Sequence, residues 1–148
     1  MGNSLIHFQE KKLWVHDFYL EPIIFFVSKL LSEKIEKQEV DKNHIEWFKT
    51  YNTELKDLFM GASDGALDLE FDLLKENEYR LTVVKDILTS IFSLLNSIDT
   101  NLNKDQFDAI GDYSFGNYAN YDSSINTKRL AKEIAKILDF ISLVDTKN

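Results

Sequence analysis

Apolar positions recur at helical spacing over most of this chain. Across residues 20–38, Ile23, Phe26, Val27, Leu30, Leu31 and Ile35 fall three and four apart, and Pro22 suits a first helical turn, so the spacing predicts a helix. Asp41 suits the cap of a second helix, with Ile45, Phe48, Leu55 and Phe59 along one side, Trp47, Tyr51 and Leu58 beside them, and Gly61 at its end. The clearest pattern covers 78–98: Leu81, Val84, Leu88, Ile91, Leu95 and Ile98 set the stripe, while Val83, Ile87, Phe92 and Leu94 widen it. This helix is expected to be central and the most buried. A last helix follows Ser124 or Asn126 as cap, with Leu130, Ile134, Ile137, Leu138, Ile141 and Val144 inward and Lys128, Arg129, Lys132 and Lys136 outward.

Elsewhere the pattern is less regular. Leu5 to Gln9 and Leu13 to Tyr19 fit either a short hairpin around Glu10-Lys11-Lys12 or a helix carrying Trp14 and Phe18; helix from Leu13 is the preferred reading. In 64–77, Leu67, Leu69, Phe71 and Leu73 alternate with Asp68, Glu70 and Asp72 at a strand's period of two. Asp and Glu are depleted in strands, however, and Leu67, Phe71 and Leu74 also share a helix face, so a helix is expected. On that helix Asp64, Asp68, Asp72 and Glu76 would stand in a line, each like-charged neighbour pair costing about 0.2–0.5 kcal/mol. Asn103 can cap a short helix to Ile110, stopped by Gly111, and 111–123 have the Gly, Asn, Tyr and Asp composition of an ordered aromatic loop. The expected architecture is all-α: a single domain over 1–148, a bundle of about five to six helices with an aromatic, acidic loop before the last.

Composition narrows the function. At 148 residues and 44% hydrophobic content the chain can bury a core without staples, and it has no Cys, which removes disulfides, thiolate catalysis and cysteine metal sites. The longest apolar run, Ile23 to Val27, is far below the roughly 20 residues of a membrane span, and no signal or myristoylation pattern is present, so a cytoplasmic location is expected. The net charge of −8 disfavours direct contact with nucleic acid and lies in two windows. Residues 61–80 hold Asp64, Asp68, Glu70, Asp72, Glu76 and Glu78 against Lys75 and Arg80, a net of −4. Residues 105–122 hold Asp105, Asp108, Asp112 and Asp122 without a base, again −4. Such acids either keep a small protein soluble or dock a basic partner.

Catalytic equipment is hard to assemble from these residues. Gly61-Ala62-Ser63-Asp64-Gly65 matches the G-x-S-x-G nucleophile elbow, but a helix precedes it, and His7, His16 and His44 all come before Ser63 rather than after it. Those histidines have no second ligand at helical spacing, the acids are not placed as in a calcium loop, and no glycine-rich phosphate loop exists. Neither a metal nor a cofactor is expected, and the chain reads as a non-enzyme. Tyr113, Phe115, Tyr118 and Tyr121, flanked by Asp112 and Asp122, instead offer the rigid amphipathic area typical of protein interfaces.

The order of these features, helices with an acidic segment and then Phe107-Asp108-Ala109-Ile110-Gly111-Asp112-Tyr113 leading through a Tyr-Asp loop into a terminal helix, resembles bacterial toxin immunity proteins. The likeness is to all-helical immunity proteins of colicin D type and of contact-dependent growth inhibition systems. That resemblance implies a cytosolic, non-catalytic nuclease inhibitor, monomeric or weakly dimeric, that covers the basic cleft of a cognate toxin domain. Asp108, Asp112, Tyr113, Tyr118, Tyr121 and Asp122 would make the main contact, with Asp64, Asp68, Asp72 and Glu76 as a second or steering surface. The rival expectations are an adaptor that docks through an apolar helix face and a small-ligand enzyme with a pocket between helices.

Overall fold

The computed structural model describes residues 2–61, 67–102 and 125–145. It is mostly helical, with a small β component that corrects the all-α expectation. Strands β1 (Asn3–Phe8) and β2 (Lys11–His16) form an antiparallel hairpin in which Ser4 faces Val15 and Ile6 faces Leu13. Ser4, Ile6, Phe8 and Val15 point inward and are buried, whereas Trp14 on the outer face is 63% exposed. The connection is the two-residue turn Gln9-Glu10, both at positive φ (50° and 69°), the backbone that matches the twist of a tight hairpin. The helix expected from Leu13 is therefore a strand to His16, and α1 begins only at Asp17.

Helix α1 (Asp17–Glu36) is capped by His16, whose Nδ1 accepts from the Phe18 N–H at 3.1 Å. Every residue from Leu20 to Ser28 is buried, because α1 packs against the hairpin, the second helix and both later long helices. An apolar run that buries all sides rather than one stripe marks the middle of a core. The most buried helix is thus α1, not the 78–98 helix. Asp41 starts the next element as expected, its Oδ1 accepting from Asn43 N–H at 3.1 Å, with a 3-10 turn over Lys42–His44 leading into α2 (Ile45–Gly61). Phe48, Tyr51 and Leu55 are buried against α1, and Asn52 bridges the two helices by accepting from Ser28 Oγ (2.6 Å) and donating to Ser32 Oγ (2.7 Å). Buried polar groups are tolerated there because each finds a partner.

Residues 67–70 run as an irregular strap without helix, followed by the single turn α3 (Phe71–Leu74) and then α4 (Glu78–Ser97), capped by Asn77. A two-residue antiparallel pair, β3 (Asn101–Leu102) with β4 (Ile125–Asn126), ties the end of α4 to the start of α5 (Thr127–Asp145). Thr127 secures the junction: its Oγ1 donates to Ile98 O at 2.8 Å and accepts from Thr100 N–H at 3.2 Å. Asn126 caps α5 as expected, its Oδ1 accepting from Arg129 N–H at 3.0 Å. Leu130, Ala131, Ile134, Ile137 and Ile141 are fully buried along α5, with Leu130 and the three isoleucines each contributing about 1.5–3 kcal/mol. The short helix expected to end at Ile110 and the aromatic loop 111–123 lie outside the described residues.

Candidate functional site

Of the residues singled out by sequence, Asp64, Asp108, Asp112, Tyr113, Tyr118, Tyr121 and Asp122 lie outside the described residues, as does Ser63. Asp68, Asp72 and Glu76 are described, and the expected helical line of acids is not formed. Leu67, Leu69 and Phe71 are all buried, and the extended strap lets them alternate inward while Asp68 and Glu70 stay half-buried. The Asp68 side chain closes a local turn by accepting from Glu70 N–H at 3.0 Å, and Glu70 takes a left-handed backbone (φ 57°, ψ 43°) before α3 starts. Leu67 and Leu69 are thus buried at a period of two without a strand, whereas from Phe71 the helical turn takes over: Leu74 is buried and Leu73 is 45% exposed.

Each acid then meets its own surroundings. Asp72 is turned to the hairpin, where its Oδ1 accepts from Gln9 N–H at 2.9 Å and pairs with Lys75 Nζ at 3.1 Å. Burial works against its charge, but the Gln9 N–H, Lys75 and His7 outweigh that and hold it below the usual carboxylate range. Asp68 is raised, because burial exceeds the help of the Glu70 and Leu69 N–H groups and of His7. Glu76 is exposed. The sequence-based set therefore splits into one acid with structural partners, one strained acid and one open acid.

Reasoning from sequence did not reach the pair at the centre of this region. Glu70 faces Glu54 of α2, carboxyl to carboxyl, and its pKa is pushed up to about 7 by burial, by the hydrogen bond and charge of Glu54, and by Asp68. Its Oε2 is buried without a hydrogen-bond partner. Beneath the pair, Tyr51 is buried, donates its hydroxyl to Leu69 O at 2.8 Å, and has its own ionisation pushed well above the usual value by burial and then by Glu70, Asp68 and Glu54. Two carboxyls in contact hold one proton readily and two negative charges badly, so the cluster suits a proton or an incoming cationic group.

No family profile, curated protein or solved structure matches the chain.

Two other features frame it. The histidines occupy structural positions: His16 caps α1, His7 faces Asp68 and Asp72, and His44 Nδ1 accepts from Arg80 Nε at 3.1 Å while Arg80 lies 4.3 Å over the Trp47 ring. Among the described residues, no group of three His, Asp or Glu is placed to hold a metal, and no helix is long and apolar enough to cross a membrane. Between α1 and α4 runs a groove of about 420 Å³ lined by Leu30, Ile91, Leu94, Leu95, Ile98 and Leu102, where Leu94 is 64% and Ile98 41% exposed. Leu94, expected to widen the apolar face of α4, is instead largely exposed and lines this groove.

Proposed function

We propose that the chain is an immunity protein, which binds a cognate bacterial toxin domain and neutralises it by covering a basic cleft with acidic and tyrosine-rich surface. The observation that carries this reading is the Glu54, Asp68 and Glu70 cluster: three carboxylates converge with no cation paired to Glu54 or Glu70 among the described residues. The resemblance to immunity proteins implies a nuclease toxin, of RNase or tRNase type; its phosphate-binding cleft is basic, and the carboxylates take the place of phosphates there. Asp108, Asp112, Tyr113, Tyr118, Tyr121 and Asp122 form the main contact, and Glu76 with the Glu54–Glu70 pair steers the encounter. Asp68 and Asp72 contribute less than their charge suggests, because both also accept backbone hydrogen bonds. The protein works in the cytoplasm, without catalysis or cofactor, as a monomer or weak dimer. A second reading, an adaptor that docks a partner's apolar side chains, is favoured by the exposed Leu94 and Ile98 of the α1–α4 groove.

The experiment is growth of cells that express the C-terminal domain of the product encoded immediately upstream, with and without this protein. Toxicity that this protein relieves supports immunity. A harmless domain, or one whose toxicity persists, removes the reading and advances the adaptor.

A further inference from the structure

The second half of α4 differs in composition from the rest of the surface. From Ile87 to Ile98 the chain has no charged residue, although 28% of all its residues are charged. The stretch is not buried: Ser90, Ser93, Leu94, Asn96, Ser97 and Ile98 are exposed, and Leu94 and Ile98 are large apolar side chains open to solvent. An exposed face that lacks charge and carries apolar anchors has the composition of an interface core, not of a solvated helix. Beside Leu94 and Ile98 lies the apolar groove of about 420 Å³ against α1, so a protruding knob and a hollow able to take one stand on the same face. We propose that a second copy of this chain covers this face, the two copies meeting about a two-fold axis with Leu94 of each seated in the groove of the other. The inference is independent of the toxin-binding reading and gives the groove an occupant other than an adaptor's partner.

The rim of the groove favours a copy of the same chain. α1 contributes Lys29 and Glu33 to it, one helical turn apart and opposite in sign. In a two-fold interface residue i meets j while j meets i, so Lys29 of one copy faces Glu33 of the other on both sides of the axis. Such a rim is its own complement, whereas a uniformly acidic or uniformly basic partner would meet a like charge at one end. The small Ser90, Ser93 and Ser97 flank Leu94 and let a facing helix approach closely. Distance also separates this face from the first acidic window. Glu78, the last acid of that window, starts α4, and Leu94 stands about 24 Å further along the helix axis, about three Debye lengths at physiological salt.

The test is sedimentation velocity of the full chain from micromolar to near-millimolar concentration, for wild type, Leu94→Glu, Lys29→Glu, Glu33→Lys and an equimolar mixture of the last two. Wild type is expected to pass from monomer to dimer. Leu94→Glu, whose thermal unfolding should match wild type because the side chain is exposed, is expected to associate about thirtyfold more weakly, the effect of losing a hot-spot residue. Lys29→Glu or Glu33→Lys alone sets like charges against each other across the axis and weakens the dimer. The mixture restores it, because each copy then supplies the sign that the other lacks; changes within a single chain would not produce that recovery, since the mixture contains the same two chains. A wild type that stays monomeric throughout overturns the proposal and leaves the groove to a different protein or to another part of this chain. A dimer that survives Leu94→Glu, or a mixture that associates no better than either variant alone, overturns the two-fold contact.

Discussion

On α5, Glu133 is 4% exposed and receives Arg129 at 3.2 Å and Lys136 at 3.0 Å; on the strap before α3, Glu70 has Glu54 and Asp68 for neighbours and no cation among the described residues. Both carboxylates are pressed into the protein, yet only one is neutralised. A helix supplies cations easily, because positions three and four residues before or after an acid share its face, as Arg129 four before and Lys136 three after do here. The strap has no such periodicity, and Lys75, five residues further along the chain, is engaged by Asp72. An acid that serves packing is given its counter-charge locally, whereas Glu70 has no cation beside it among the described residues and its ionisation is pushed up instead. Departures of that kind from local consistency concentrate where a protein meets something else.

Removing Arg129 and Lys136 together, by Arg129→Ala and Lys136→Ala, isolates Glu133 and should have the largest effect. A buried charge stripped of its partners costs about 3–5 kcal/mol, reduced here to roughly 2–3 because both cations are half exposed. Urea unfolding measures it, and a loss below about 0.5 kcal/mol would mean that Glu133 never depended on its cations. In the second acidic window, Tyr118→Ala or Asp112→Asn should weaken toxin binding by about 2 kcal/mol while leaving the unfolding curve in place. Unchanged affinity in both variants would remove that window from the interface.

At the strap, Glu70→Gln should raise stability by about 1 kcal/mol at pH 8 and hardly at all at pH 5, a value already discounted for the solvent around a part-exposed group. That sign is opposite to any change at Glu133, so a destabilised Glu70→Gln at pH 8 would erase the contrast between the two acids. Asp72 behaves in the reverse sense to Glu70: held below its usual range, it contributes stability at neutral pH that is lost as pH falls through its folded value. Asp72→Asn should therefore flatten only the acid limb of a pH–stability curve. The smallest effect belongs to Trp14→Ser on the outer hairpin face, within about 0.5 kcal/mol by the same unfolding assay, since the ring is largely exposed.

The long helices were legible because their periodicity ran for many residues and polar caps marked two of their starts. Asp41 and Asn126 both accept the backbone N–H groups expected of them. The hairpin was legible only as the less favoured of two readings, since its turn is Gln9-Glu10 rather than a glycine or asparagine pair, and the alternation of Ile6, Phe8 and Val15 is too short to exclude a helix. In the acidic segment each pattern held in part: Leu67 and Leu69 are buried at a period of two without forming a strand, Phe71 and Leu74 are buried in the helical turn α3, and Leu73, the fourth residue of the alternation, is 45% exposed. Leu94 fitted the widened apolar face of α4 but lies where no described neighbour buries it. The excess of acid was visible as a count; the Glu54–Glu70 contact was not, because it joins elements whose approach is set by the buried Tyr51 and Leu69.

On the proposed reading, the carboxylates of α2 and the strap receive a basic partner. The most direct test is the association rate of this protein with the purified toxin domain encoded upstream, at low and at physiological salt, for wild type and for a variant carrying Glu54→Gln, Glu70→Gln and Glu76→Gln. Electrostatic steering predicts a rate that falls about tenfold or more as salt rises, and a slower, less salt-dependent rate for the variant. No binding, or a wild-type rate indifferent to salt and to the three substitutions, would contradict it.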